Sequence, residues 1–294
     1  MFENFQTSIV DTGEARIFVR HGGTGPAIYL LHGHPRTSAT WHRVAPLLVE
    51  RGFSVVCPDL RGYGRSLGPA PREDHEPHSK RAMAGDIREV ARQLGHRRIQ
   101  LAGHDRGSYV AMRLALDHPE LVQRVALLDC IPITEHLRRA DARFATAWWH
   151  WFFFAQPDIP ERVIGADPEA WYRPKADAAT MGAANHAELM TAVRNPATVR
   201  AMLEDYRAGL TIDALHEEAD RAAGRRIDAP LLVLWSGRDD LEQLHGDPRV
   251  IWSDWARSVQ GHRIDSGHHM AEEAPEELAA ALGRFFAEPT DVRR

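Results

Sequence analysis

In the segment Gly103-His104-Asp105-Arg106-Gly107 the chain carries one acid in a setting that can make it reactive. The preceding Ile99-Gln100-Leu101-Ala102 reads as a buried strand, and Ser108-Tyr109-Val110 opens a helix. A strand turning sharply into a helix brings two backbones together where a Cβ would clash. Glycines two residues either side of the acid are what such a turn requires. The central carboxylate is then presented at a helix N-terminus, where N–H groups and the helix dipole favour an anion. A carboxylate is a poor acyl acceptor, but it displaces leaving groups at saturated carbon and forms an alkyl ester. Substrates suited to that chemistry have a polarised sp³ carbon, as in alkyl halides or epoxides.

Histidine and tryptophan are the other reactive or hydrogen-bonding types in excess: 17 and 8, against 5 tyrosines. His32-x-His34, His75-x-x-His78 and His268-His269 have spacings that suit a metal. No Cys or carboxylate set completes any of them, so no metal or other cofactor is expected. His75 and His78 fall in the polar, Pro-containing stretch Pro71–Lys80, which reads as a solvated loop.

The elements that must position these groups follow from hydrophobic patterning. Short apolar runs at Phe5–Val10, Arg16–Val19, Ala27–Leu31, Ser54–Cys57 and Ile99–Ala102 read as strands, followed by Val125–Leu128, Leu231–Trp235 and Arg263–Ile264. Helical patterns lie between them at Thr40–Glu50, Lys80–Leu94, Gly107–Asp117, Arg249–Val259 and Pro275–Phe286. The alternation predicts a mostly parallel sheet covered on both faces, with an antiparallel hairpin across Asp11–Ala15. It stops after Leu128 and resumes at Leu231. The helix-like residues between hold Trp148, Trp149, Trp151 and Trp171, four of the eight tryptophans. An insertion at the carboxyl end of a parallel sheet lies over its ligand crevice, so residues 131–227 are expected to form a lid on a core of 1–130 and 228–294. Most of its aromatics are expected to pack the lid's own small core.

Charge and composition bound the partners. The net charge is −5, from 36 Lys+Arg against 41 Asp+Glu, with no basic block, which argues against nucleic acid. The apolar runs are too short to span a bilayer. An N-terminus of Met1-Phe2-Glu3-Asn4 lacks signal-peptide features, and Cys57 and Cys130 cannot make a disulfide framework, so a cytoplasmic protein is expected.

The turn around Asp105 resembles the nucleophile turn of the α/β-hydrolase fold, with Asp where esterases carry Ser. His32-Gly33-His34-Pro35 is similar to the family's oxyanion-loop motif, and Asp59-Leu60-Arg61-Gly62-Tyr63-Gly64-Arg65-Ser66 to its D-x-R-G-x-G-x-S turn. Asp129 ends the sixth strand, and Ser266-Gly267-His268 follows the eighth, just before Glu272-Glu273-Ala274-Pro275 opens the last helix. The resemblance implies an eight-stranded α/β-hydrolase fold in which Asp105 is the nucleophile and His268 activates water against its ester. Asp129 would orient His268. Asp239 or Asp240, after the seventh strand, is the rival for that role. The backbone N–H groups of His34 and Arg106 would hold the oxyanion. His269 is assigned to the lid or the surface.

Within that family the lid separates dehalogenases from epoxide hydrolases. The stretch from Trp149-His150-Trp151 to Gln156-Pro157 is similar to fluoroacetate and haloacetate dehalogenases, whose lid His, Trp and Tyr donate to the departing halide. His150, Trp151 and Tyr206 match those positions, and all three side chains are suitable donors. The resemblance therefore implies a hydrolytic dehalogenase of 2-halo carboxylic acids, acting as a homodimer. Epoxide hydrolysis by the same Asp–His–Asp set is the alternative, weakened by a single matched lid tyrosine. A non-catalytic receptor on the same fold is the third reading. Two positions depart from the dehalogenase pattern. Arg106 keeps the first arginine of the substrate-carboxylate clamp, but Tyr109 replaces the second, and His34 replaces an oxyanion-loop Phe. Tyrosine cannot reproduce a guanidinium fork, so a larger or less acidic halogenated substrate is admitted.

Overall fold

The computed structural model describes residues 1–173 and 176–288. Eight strands build one sheet: β1 (Gln6–Asp11), β2 (Arg16–Gly23), β3 (Ala27–Leu31), β4 (Ser54–Pro58), β5 (Ile99–His104), β6 (Val122–Leu128), β7 (Leu231–Ser236) and β8 (Val259–Ile264). Their spatial order is β1-β2-β4-β3-β5-β6-β7-β8. β2 runs antiparallel to β1 and β4, and the remaining pairs are parallel.

The central strands are apolar at nearly every position because both faces are covered. Tyr29, Leu31, Leu101, Val125, Leu127 and Val233 face one core, under the helices Lys80–Gln93 and Arg106–Asp117. Ile28, Leu30, Ala102, Ala126, Leu128 and Leu234 face the other, under Val44–Glu50 and Pro275–Ala287. Between β6 and β7 the chain leaves the sheet for a series of helices running from Ile133 to Ala222. Near the end of that series the helix Pro196–Ala208 passes through a π turn, Gly209–Asp213, into Ala214–Ala222. No helix among the described residues is long and apolar enough to cross a membrane.

Three expectations need correction. The helix expected over Arg249–Val259 is only Pro248–Trp252, and Val259 instead begins β8 opposite Leu231. Indole N–H bonds hold the segment between: Trp252 donates to Cys130 O at 3.0 Å and Trp255 to Glu135 Oε1 at 3.1 Å. β8 is an edge strand whose sequence, VQGHRI, is mostly polar, so only its buried end carries an apolar signal. The helix expected from Thr40 is interrupted, with a 3₁₀ turn at Ser38–Trp41 ahead of Val44–Glu50. The stretch expected as a solvated loop carries buried Pro77 and His78, and Arg61 donates to Pro77 O at 2.6 Å. His75 Nδ1 lies 2.8 Å from Glu204 Oε2 on the helix Pro196–Ala208. A polar, Pro-containing composition is also what a segment wedged between two layers uses.

Candidate active site

Asp105 occupies the single residue between β5 and the helix Arg106–Asp117, at φ 49° and ψ −120°. The flanking glycines are sterically obligatory. A Cβ on Gly103 would stand 2.3 Å from Gly107 O, and one on Gly107 2.5 Å from the carbonyls of Leu31 and His32. Gly33 is equally constrained, since its Cβ would fall 2.5 Å from Asp105 Oδ2. The carboxylate is almost buried, and its Oδ2 accepts the His34 N–H at 2.7 Å. Burial alone would raise this carboxyl's pKa. The charges of His268, His104 and Arg106, with the His34 N–H, outweigh it and hold the group below its usual range.

His268 stands on the loop after β8, and its Nδ1 meets two acids. Asp129 Oδ2 is at 2.7 Å and Asp239 Oδ2 at 3.3 Å. Asp129 follows β6 directly at φ 53°, is buried, and its Oδ1 accepts the Ser236 N–H at 3.0 Å. Burial pushes the Asp129 carboxyl upward. Asp240, the other residue weighed from the sequence, turns instead to the helical insertion, where Trp148 Nε1 donates to its Oδ1 at 2.9 Å. Desolvation would lower the His268 imidazole's pKa, but Asp129, Asp239 and Asp105 together raise it well above its ordinary value. Its loop is fixed by two acids the sequence reading used only as a helix start. Glu273 accepts the N–H of Gly267 at 2.6 Å and of His269 at 3.2 Å. Glu272 forms a buried ion pair with Arg36, two residues beyond His34, at 2.9 Å. The loop carrying His34 and the loop carrying His268 are thereby tied together.

A cavity of about 330 Å³ opens onto Asp105 and His268 and is small for a ligand pocket. His34, His150, Trp151 and Tyr206 line it, so the three lid donors expected from the sequence converge with the acid. His269, expected on the lid or surface, forms part of the same wall, its ring 5.1 Å from that of His268. Trp148 also lines the cavity and reaches across to Asp240, so it does more than fill the lid's own core.

Arg106 and Tyr109 lie deeper. The Arg106 guanidinium is buried behind Tyr206, 4.2 Å from the ring centroid. It donates to Asp205 through Nε at 3.2 Å and Nη2 at 2.9 Å. Lys80 Nζ bonds the same carboxylate, and Tyr63 Oη donates to it at 2.6 Å. Tyr109 is buried edge-on to Trp151 at 6.4 Å. Of the two backbone N–H groups expected for an oxyanion, that of His34 is the one donating to the carboxylate. A second tyrosine of the helical insertion, Tyr172, packs its ring tilted against His34 at 5.7 Å, but its hydroxyl meets Met202 Sδ at 3.9 Å. His32 is structural: Leu60 N–H donates to its Nε2 at 2.9 Å, leaving Nδ1 to donate to Gly33 O. Among the described residues, two groups could hold a metal geometrically, His104–His268–His269 and Asp129–Asp239–His268, and both contain His268.

A sheet of this order, with an acid on the tight turn after β5 and a histidine after β8, defines an α/β hydrolase. The sequence model of the alpha/beta hydrolase fold matches residues 26–275, and the chain belongs to that family. Fluoroacetate dehalogenase from Burkholderia sp. is 39% identical over 98% of this chain and 96% of its own length. Soluble epoxide hydrolase from Corynebacterium sp. (strain C12) is 32% identical over 90% of this chain and 91% of its own. Among solved structures, a chain from Nostoc sp. PCC 7120 assigned to the alpha/beta hydrolases superposes with a TM-score of 0.95. It is 43% identical and covers 98% of this chain and 100% of its own. The protein is a hydrolase with dehalogenase and epoxide hydrolase homologues.

Proposed function

We propose that the protein is a hydrolytic dehalogenase of small 2-halo compounds, with residues 131–227 as the lid over its reaction site. The observation that carries the reading is the convergence of His150, Trp151 and Tyr206 on the cavity that holds Asp105. Asp105 Oδ1 attacks the carbon bearing the halogen, since Oδ2 is held by the His34 N–H. The C–O bond forms as the C–X bond breaks, and the halide leaves with the electron pair toward the three lid donors, where negative charge develops. His268 then removes a proton from water, whose oxygen attacks Asp105 Cγ; the tetrahedral centre expels the alkoxide, which takes that proton from His268 and leaves as the alcohol, and the carboxyl's remaining proton passes to solvent. The name of the Burkholderia relative points to a haloacetate-sized skeleton.

A halide-release assay on fluoro-, chloro- and bromo-substituted two-carbon acids and amides tests this directly. Halide from at least one series is expected. Diol formation from styrene oxide with no halide from any of them would replace this reading by the epoxide one.

The two acids at His268 make a second expectation. Losing the acid of a lone Ser–His–Asp triad costs about 10⁴ in kcat. Here Asp129→Asn should cost only about 10², because Asp239 already reaches the same nitrogen. The Asp129→Asn/Asp239→Asn pair should recover the full loss of about 10⁴. A single variant as damaged as the double would show that Asp239 does not substitute.

A third concerns pH. Asp105 and His268 each stabilise the charged form of the other. Alkylation of Asp105 abolishes its charge, so His268 should lose its proton more readily just when a base is needed. In Asp105→Asn, therefore, the His268 imidazole should titrate at lower pH than in the parent when followed by NMR. An unchanged or higher value would remove this coupling from the mechanism.

A further inference from the structure

We propose that this site takes an uncharged organohalide bearing an N–H or O–H donor, such as a haloamide or halo-alcohol, and discriminates against haloacid carboxylates. The inference rests on the reading of Asp105 as the nucleophile and adds the substrate's charge. Its basis is the charge inventory around the cavity. No Lys or Arg is among the described residues lining it, whereas Asp105, Asp239 and Asp240 are. Behind the site, Arg106 and Lys80 are consumed by Asp205 and Asp213: two positive and two negative groups in one buried cluster. Arg106 faces Asp205 from behind Tyr206, outside the cavity lining. The position that would supply a second clamp cation is Tyr109, buried against Trp151. His268, the remaining cationic group beside Asp105, is bonded to Asp129 and Asp239.

A substrate carboxylate would be stripped of water beside like charges, with the one lining cation, His268, already facing Asp105, Asp129 and Asp239, which is unfavourable on both counts. An amide or hydroxyl carries no such penalty. Its N–H or O–H matches the carboxylates of Asp239 and Asp240 in the cavity wall, which when ionised only accept hydrogen bonds. The reaction itself is unchanged: Asp105 gains the carbon, and the halide leaves with its electron pair.

Two matched pairs test the proposal, bromoacetate with bromoacetamide and glycidate with glycidamide. For each, kcat/KM is divided by the uncatalysed rate with acetate, to remove intrinsic reactivity. Labelling at Asp105 is read by peptide mass spectrometry in His268→Asn. The amide of a reactive pair should be favoured at least tenfold, and Asp240→Asn should narrow that ratio. Equal rates within threefold, or preference for the anion, overturn the charge inference. Labelling and turnover by the epoxide pair alone, still favouring the amide, would overturn the halide reading and leave the charge inference standing. Labelling of Asp105 by neither pair overturns both.

Discussion

An Asp105→Asn variant will fall in kcat by at least about 10⁴ while remaining folded, because it removes the attacking oxygen but little of the packing. Asn tolerates a positive φ better than most residues, and its side-chain oxygen can still accept the His34 N–H at the turn. The companion His268→Asn variant separates the two half-reactions. It retains the carboxylate that attacks and removes the base that brings water to the ester, so one equivalent of halide should appear rapidly and then stop. Peptide mass spectrometry should find the alkyl group on Asp105. With a substrate that the parent turns over, absence of that adduct would refute the covalent route, whatever the assay shows about products. The retained fold can be checked by circular dichroism. A variant that loses activity by unfolding would say nothing about the nucleophile, which is why trapping is the stronger arm.

The second large effect is on stability. Asp205→Asn leaves Arg106 facing a neutral amide and removes one of two carboxylates from Lys80, in a cluster whose members are all nearly inaccessible to water. Breaking a buried pair from one side typically costs 3–5 kcal/mol, so a loss of about 4 kcal/mol is expected in denaturant unfolding. Removing both charges with volume-matched apolar residues, Arg106→Met with Asp205→Leu, should cost less than the single change, with Asp213 still neutralising Lys80. A single variant within about 1 kcal/mol of the parent would mean that water reaches the cluster. The sign of the pH dependence follows from Asp205. Burial would raise its pKa, but Arg106 and Lys80 depress it strongly below the ordinary carboxylate value. The stabilisation is therefore complete above the unfolded-state pKa of about 4 and fades only as pH falls through the depressed native value.

The residues that make the turn around Asp105 were legible because sterics leave few alternatives. Two glycines, a strand before and a helix after specify one geometry. The lid donors His150, Trp151 and Tyr206 were legible only through resemblance, since a tryptophan or tyrosine in a helix carries no local mark of what it faces. Asp239 was visible as a rival acid, but chain order gives no way to see that it and Asp129 reach one nitrogen together. Arg106 shows the sharper limit. Its neighbour Asp105 fixes where its backbone goes, but its partner Asp205 is 99 residues away. Nothing in the local sequence says that the guanidinium turns away from the cavity. β8 escaped for the opposite reason: at the edge of the sheet it needs little apolar surface, so hydrophobic patterning identified only its last two residues.

The wide turn at Gly209–Asp213 acts as a phase correction along the stretch from Pro196 to Ala222. Asp205 and Asp213 both reach Lys80, yet they are eight residues apart. At about 100° per residue, an unbroken α-helix would carry the second some 80° past the first. One residue taken up by the π turn brings them back to within about 20°. The same offset aims Glu217, one turn later, at the N–H groups of Ile133 and Thr134, which it accepts at 3.2 and 2.8 Å. This part of the chain is consequently far more sensitive to its length than to its composition. Deleting Leu210 would let the stretch run as an unbroken α-helix with every later side chain still in its present register, whereas deleting one residue more would swing each of them about 100° away from the partners it now meets.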